Sequence, residues 1–236
     1  MNKLHAVLLE QIKREVKKQP VTSQHNASYE GHSEKNYNLT NPQLRKISKA
    51  WLKADKGLSF DRFIRLLNSL YTKSSSATEK YLAGFLIEYS PYYRKQIKFE
   101  LLDKWLNNLV GWGQVDSLCQ SRFSADDILL NWKQWEKLLR KLNNSPNINK
   151  RRASLVLLTK PVRDSKEKVI ANLAISNIEG VKQEKEILIT KAISWLMREL
   201  IKNHRHLVSG YLNKNTNTLP AIAVRETSRK LKTGKK

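Results

Sequence analysis

The sequence is short of the residues that break helices and of those that staple small folds. Among 236 residues there are only 8 glycines, 6 prolines and one cysteine, Cys119. A single cysteine excludes an intramolecular disulfide framework and any cysteine-rich zinc site. With glycine and proline scarce and no run alternating at period two, strands and hairpins are hard to place. No stretch approaches the roughly 20 apolar residues of a membrane span. Met1 to Lys18 sets Glu10 and Glu15 among its apolar residues, where a signal peptide keeps an unbroken apolar core. These absences lead to the expectation of a soluble protein of a reducing compartment, the cytoplasm, with no membrane partner.

Acidic residues are also few. There are 21 Asp plus Glu against 44 Lys plus Arg, a net charge of +23. Nucleic acid is the default partner for such an excess, because Lys and Arg release the counterions condensed on its phosphates. A ribosome-like or membrane-surface protein that merely tracks anionic surface is the alternative on charge alone. Hydrophobic residues make up 40% and charged residues 28% of the chain, an ordinary globular composition rather than that of a disordered polycation. The length suggests one or two domains, large enough to fold on an apolar core without staples.

Helical periodicity is nearly continuous. Leu44, Ile47, Trp51 and Ala54 make one stripe. Leu101, Leu102, Trp105, Leu106 and Leu109 make a second, and Ile128, Trp132, Trp135, Leu139 and Leu142 a third. Start signals sit at Asn41-Pro42, at Ser59, at Ser124 before Asp126-Asp127, and at Asn144-Ser145-Pro146. The pattern predicts about a dozen helices with short links, and one short helix plus a loop between Pro20 and Asn38. A weak repeat accompanies it. Aligning Ala83, Ser117, Ala153 and Ala192, each at the head of an apolar helix body, gives spacings of 34, 36 and 39. This approaches the period of HEAT or armadillo-type helix pairs, which stack into solenoids with a concave face. An irregular helical bundle is the other reading. The expected organisation is one HEAT-like repeat domain over 1–224, with 225–236 a basic helix end and frayed tail.

Three features depart from the core pattern. On a helix expected from Glu184 to Lys202, Lys191, Trp195, Arg198 and Lys202 share a face, while Ile189, Ala192, Ile193, Leu196 and Leu200 cover the opposite one. An indole among cations suits a nucleic-acid surface, although it would also suit burial with the cations snorkelling outward. Trp112 and Asp116 lie four apart, one turn along a helix expected to begin near Gly113. A carboxylate beside an aromatic is a poor backbone contact but can face developing positive charge; pairing with an arginine or favouring the helix N-terminus would also explain it. Arg152, expected to open its helix, could join backbone N–H groups on a phosphate or form a surface salt bridge. There is no phosphate-cradling glycine loop and no metal-ligand spacing, and His204 and His206 face different sides of a helix, so no metal or cofactor is expected.

These segments, read in order, resemble the AlkD-like DNA alkylation repair glycosylases, a family built from HEAT-like repeats. The resemblance runs from about Tyr29 to Arg229. It is carried by Ser28-Tyr29-Glu30-Gly31-His32, Leu39-Thr40-Asn41-Pro42, Gly111-Trp112-Gly113-Gln114-Val115-Asp116-Ser117, Arg151-Arg152-Ala153-Ser154-Leu155, Lys191 to Glu199, and Arg225-Glu226. It implies an all-α HEAT-like solenoid with a basic concave groove. The implied protein is a monomeric base-excision glycosylase that hydrolyses the N-glycosidic bond of cationic N3- or N7-alkylated purines in double-stranded DNA. By the same resemblance Asp116 is the catalytic carboxylate and Trp112 and Trp195 pack against the lesion nucleotide. Arg152 holds a neighbouring phosphate and Tyr29 lines the groove, beside the DNA-facing Lys191, Arg198 and Lys202. The chain departs from the family at Gly113, where members usually carry an acidic residue. A non-catalytic binder of distorted or branched DNA is the alternative, and a helical scaffold or RNA binder a second.

Overall fold

The structure, a computed structural model, describes residues 1–18, 31, 33–55 and 57–235. Among these residues there are thirteen helices and no strand; the one β feature is an isolated bridge between Lys35 and Ser76. The fold is all-α, as the periodicity requires, and none of its helices is long and apolar enough to cross a membrane. The chain divides into two compact units, 1–121 and 122–236, where the sequence suggests one domain to residue 224.

The first unit holds α1 (Lys3–Val16), α2 (Asn41–Ala54), α3 (Phe60–Lys73), α4 (Ala77–Glu88), the single turn α5 (Pro91–Arg94), α6 (Phe99–Leu106) and α7 (Gly111–Cys119). α2, α3 and α4 begin where side chains can take up orphan N–H groups. Thr40 and Gln43 form a capping box on α2, and Ser59 and Ser76 accept from Arg62 and Glu79 at the starts of α3 and α4. Such a cap contributes about 1 kcal/mol. Trp51 and Trp105 are buried as their stripes demand, and Trp105 stacks on Tyr71 at 5.0 Å between ring centroids while its indole N–H donates to Asn68 at 2.7 Å. A buried carboxylate ties α1 to α4: Glu79 Oε1 lies 2.6 Å from His5 Nε2, and Glu79 Oε2 accepts from Ser76 Oγ at 2.5 Å. Burial pushes the Glu79 carboxyl up, but the bonds from His5 and Ser76 outweigh it and hold the group below the ordinary carboxylate range.

The second unit holds α8 (Ala125–Leu130), α9 (Trp132–Asn143), α10 (Ile148–Asp164), α11 (Lys168–Val181), α12 (Ile187–Asn215) and α13 (Ala221–Thr233). Trp135 is buried, but Trp132, placed on the same stripe, is only half-buried because it stands at the first position of α9. α12 matches the expected helix up to a kink at His204, whose φ of −131° and ψ of 39° leave the helical region. The basic C-terminal segment is helical: α13 continues to Thr233, and buried Ala223 and Thr227 pack it against α12. The repeat register has a structural counterpart. Ala83, Ser117, Ala153 and Ala192 each fall at the sixth or seventh residue of α4, α7, α10 and α12.

Candidate active site and nucleic-acid interface

α7 is a short helix whose start is fixed by glycine. Gly111 has a φ of +75°, in the left-handed region that glycine tolerates without strain. The helix begins there and not near Gly113, so Trp112 stands in its first turn and Asp116 one turn later on the same side. Gln114 is wholly buried; its Oε1 accepts from Val110 N at 2.9 Å and its Nε2 donates to Glu34 at 2.7 Å. Glu34 also receives buried Lys80 at 2.6 Å, so this carboxylate links the segment before α2 to both α4 and α7.

A close approach fixes α7 against α4. A Cβ added to Gly84 would lie 2.4 Å from Ser117 Oγ and 2.5 Å from Ser117 O, so no larger residue fits without moving the helices apart. Ser117 Oγ donates to Tyr81 O at 3.1 Å, and Ser121 Oγ donates to Gly84 O at 2.9 Å. This close packing fixes α7, which carries Asp116, against α4. A cleft of about 270 Å³ lies beside it, lined by Asn41 and Arg45 of α2, by Tyr81, Phe85 and Glu88 of α4, and by Trp112, Gly113, Asp116, Ser117 and Gln120 of α7. Trp112 and Asp116, both half-buried and one turn apart on α7, line the same cleft.

Arg45, Phe85 and Glu88 are cleft residues that sequence reasoning missed. Arg45 Nη1 donates to Glu88 Oε1 at 2.6 Å and to Tyr89 Oη at 2.9 Å, and its guanidinium lies 4.8 Å from the Phe85 ring centre. Burial weakens the charged form of Arg45, but the bonds to Tyr89 and Glu88 more than restore it. No sequence spacing announces this cluster, because its members sit on two helices about forty positions apart.

In the second unit the cationic face of α12 is present. Lys191 and Lys202 are exposed, and Trp195 and Arg198 are half-buried between them, while Ile189, Ala192, Ile193, Leu196 and Leu200 are wholly buried. The indole N–H of Trp195 donates to Glu199 at 3.1 Å, and Glu199 lies 3.7 Å from Arg163 Nη1. Arg198 reaches Glu226 of α13 at 3.3 Å, and Ser194 Oγ donates to the same oxygen at 2.5 Å. Glu226, the acidic member of the terminal Arg-Glu pair, thus sets the position of Arg198. Lys160, Arg163 and Lys202 gather around Asp164 at 2.5, 3.3 and 3.9 Å. The hydrogen bond from Lys160, with the charges of Lys160 and Arg163, lowers the Asp164 carboxyl against the opposing effect of burial.

Arg152 differs from its expected setting. α10 begins at Ile148 behind an Asn147 cap, so Arg152 stands in the second turn and its backbone N–H is not among the orphan donors of the helix start. Its side chain is buried, and Nη1 donates to Leu188 O, 2.5 Å away in the first turn of α12. The neighbouring Arg151 makes the bidentate pair, with Glu184 at 2.8 and 2.9 Å. Tyr29 lies outside the described residues; nearby Gly31, at φ +78°, sits so close to Gly111 that an added Cβ would come within 3.3 Å of its Cα. His206 is exposed, whereas His204 Nε2 lies 3.1 Å from Ser165 O. Among the described residues no three His, Cys, Asp or Glu side chains could hold a metal ion together.

Comparison with known proteins adds three findings. A family model described as DNA alkylation repair enzyme matches residues 9–231. A solved structure, described as a predicted DNA alkylation repair enzyme from Enterococcus faecalis, aligns with a TM-score of 0.72 at 19% sequence identity, covering 91% of this chain and 100% of the other. That likeness establishes a shared fold, an all-α helical repeat. No curated protein sequence matches the chain.

Proposed function

The chain belongs to the DNA alkylation repair enzyme family, and from that premise we propose that it is a DNA glycosylase that hydrolyses the N-glycosidic bond of cationic N3- or N7-alkylated purines in duplex DNA. The observation that carries this reading is the pairing of Asp116 with Trp112 in one cleft of a chain whose net charge is +23. A carboxylate is costly beside DNA phosphates until positive charge develops on the sugar, so its value lies in the transition state.

An alkylated purine that already carries positive charge leaves without being protonated. What remains is to stabilise the oxocarbenium-like sugar and to position water, and one preorganised carboxylate serves both ends. In this reading Trp112 packs against the lesion nucleotide and Asp116 faces its C1′. Trp195, oriented by Glu199, packs against the same nucleotide, and Lys191, Arg198 and Lys202 hold backbone phosphates. Arg152, kept rigid by Leu188, is assigned a phosphate beside the lesion, and Tyr29 the groove wall. Most glycosylases extrude the target base into a pocket; here the sugar is the group addressed. The basic concave groove of a HEAT-like solenoid, action as a monomer and a cytoplasmic location belong to the same proposal, and no step needs a metal or cofactor.

Gly113, in place of the family's usual acidic residue, is the one observation that favours the alternative, a non-catalytic binder of distorted or branched DNA. One experiment separates the two. The protein should release 7-methylguanine or 3-methyladenine from methylated duplex DNA and leave uracil in place. Binding without release of any methylated base would select the alternative.

A further inference from the structure

The electrostatics of the Asp116 cleft leave one arrangement unused by that mechanism. Asn41, Arg45 and Lys49 follow one another at i, i+4 and i+8, so they form a single face of α2. Arg45 and Lys49 are both held by Tyr89, the first through the phenol oxygen at 2.9 Å, the second over the ring at 4.7 Å from its centre. Arg45 is further fixed by Glu88 at 2.6 Å and by the face of Phe85. The Arg45 side chain nevertheless keeps 41% exposure, while its partner Glu88 keeps 6%. Asn41 and Arg45 line the cleft that contains Asp116.

A bare structural ion pair has no need for this combination. Arg45 Nη1 makes the bonds to both Glu88 and Tyr89, so the planar fork is fixed through one nitrogen and stays solvent-accessible. A guanidinium immobilised in this way loses little conformational entropy when it grips a planar or tetrahedral oxyanion. Lys49, one turn on, adds a second cation on the same ledge, and a ledge of fixed cations leading to a cleft fits a polyanionic strand that passes along it.

We propose that Arg45 and Lys49 form a phosphate-binding ledge on the first unit, which grips the backbone of the DNA strand entering the Asp116 cleft, with Glu88 and Tyr89 as the positioning residues. The ledge deepens the glycosylase reading and rests on it for the identity of the strand. It gives the acidic cleft its own hold on DNA, independent of the cations of α12. Arg45 is a positioning residue for the reaction, because it touches the substrate backbone and not the reacting atoms.

The test uses two readouts on the full chain. The first is the salt dependence of binding to a short undamaged duplex. The second is single-turnover release from the same duplex after methylation. Lys49→Ala, at an exposed position, and Arg45→Ala combined with Glu88→Gln, which leaves no buried carboxylate without its partner, should each flatten the log–log salt slope by about 0.9. The three changes together should flatten it by about 1.8. The half-saturating protein concentration should rise by more than the rate at saturation falls. Arg45→Lys should keep the slope but still raise the half-saturating concentration, because the charge remains and the fixed fork is lost. Unaltered slopes in correctly folded Lys49→Ala and Arg45→Ala/Glu88→Gln proteins would overturn the ledge, even if the wild type releases methylated purines. Flattened slopes in a protein that releases none would uphold the ledge and sink the glycosylase reading instead.

Discussion

The two units of this chain set the same kind of side chain among different balances of charge. Residues 1–121 carry 19 Lys and Arg against 11 Asp and Glu, a net +8, whereas residues 122–236 carry 25 against 10, a net +15. In the first unit Trp112 shares a cleft with two carboxylates, Asp116 and Glu88, and with one arginine, Arg45. In the second, Trp195 donates to Glu199 and stands on a helix face with three cations, Lys191, Arg198 and Lys202. The proposed mechanism makes use of both settings. A group that stabilises developing positive charge gains from neighbouring carboxylates, and groups that attract phosphates gain from a local excess of cations. In that mechanism the first unit does the chemistry and the second supplies most of the grip, and substitutions can separate the two roles.

The largest effect is expected at Asp116. Asp116→Asn should keep the helical fold and lose excision of methylated purines by about 10²–10³-fold, the range for removing one preorganised electrostatic group. Single-turnover release of radiolabelled base checks it, and brisk release by the variant would remove Asp116 from the mechanism. Gly84→Val should come next, because the added atoms would strike Ser117 and drive α4 from α7. Overpacking of that kind costs about 1–3 kcal/mol, and the displaced α7 should cost activity as well. A melt that leaves the wild-type transition unchanged would show that the close approach at Gly84 does not fix the site.

In the second unit, Arg152→Ala should weaken DNA binding and flatten the log–log salt slope by about 0.9, as expected for one phosphate. A lower melting temperature with an unaltered slope would leave Arg152 as a clamp on Leu188. The smallest effect separates the units by pH. The Glu79 carboxyl is held below its ordinary value, so its stabilisation is present above the ordinary carboxylate pKa and is lost as pH falls through the lowered one. Asp164 and Glu179 in the second unit are lowered in the same sense, but both are exposed enough to be screened. Glu10 of the first unit, lowered by Lys13, is likewise exposed. Added salt should therefore blunt the acid sensitivity that Asp164 confers more than that which the buried Glu79 confers. Acid titration of Glu79→Gln and Asp164→Asn variants at two ionic strengths, followed by circular dichroism, checks the ranking.

Much of the fold is legible in the sequence because its determinants are local. Ser59 and Ser124 sit at their N-caps, and Trp51, Trp105 and Trp135 lie on stripes that are buried as the periodicity demands. Trp112 with Asp116, and Lys191 with Trp195, Arg198 and Lys202, are legible for the same reason, since helical geometry alone aligns them. What is not legible depends on packing between distant segments. Arg45 meets Glu88 and Tyr89 only when α2 packs on α4, and His5 finds Glu79 across 74 positions. The C-terminal basic run looks solvated until Ala223 and Thr227 are seen buried. A single cap moves Arg152 from its expected place: Asn147 starts the helix ahead of the basic cluster that reads as its opening.

The division between the units is tested most directly by measuring binding and single-turnover excision on the same methylated duplex with two proteins, Asp116→Asn and the triple variant Lys191→Ala, Arg198→Ala, Lys202→Ala. Asp116→Asn should bind with the wild-type salt slope and lose excision at saturation. The triple variant should have a slope flatter by up to about 2.7, because each of the three cations neutralises one phosphate, and a smaller loss of excision at saturation. If both variants lost affinity and excision in the same proportion, the units would share one task, and the separation of chemistry from grip would be contradicted.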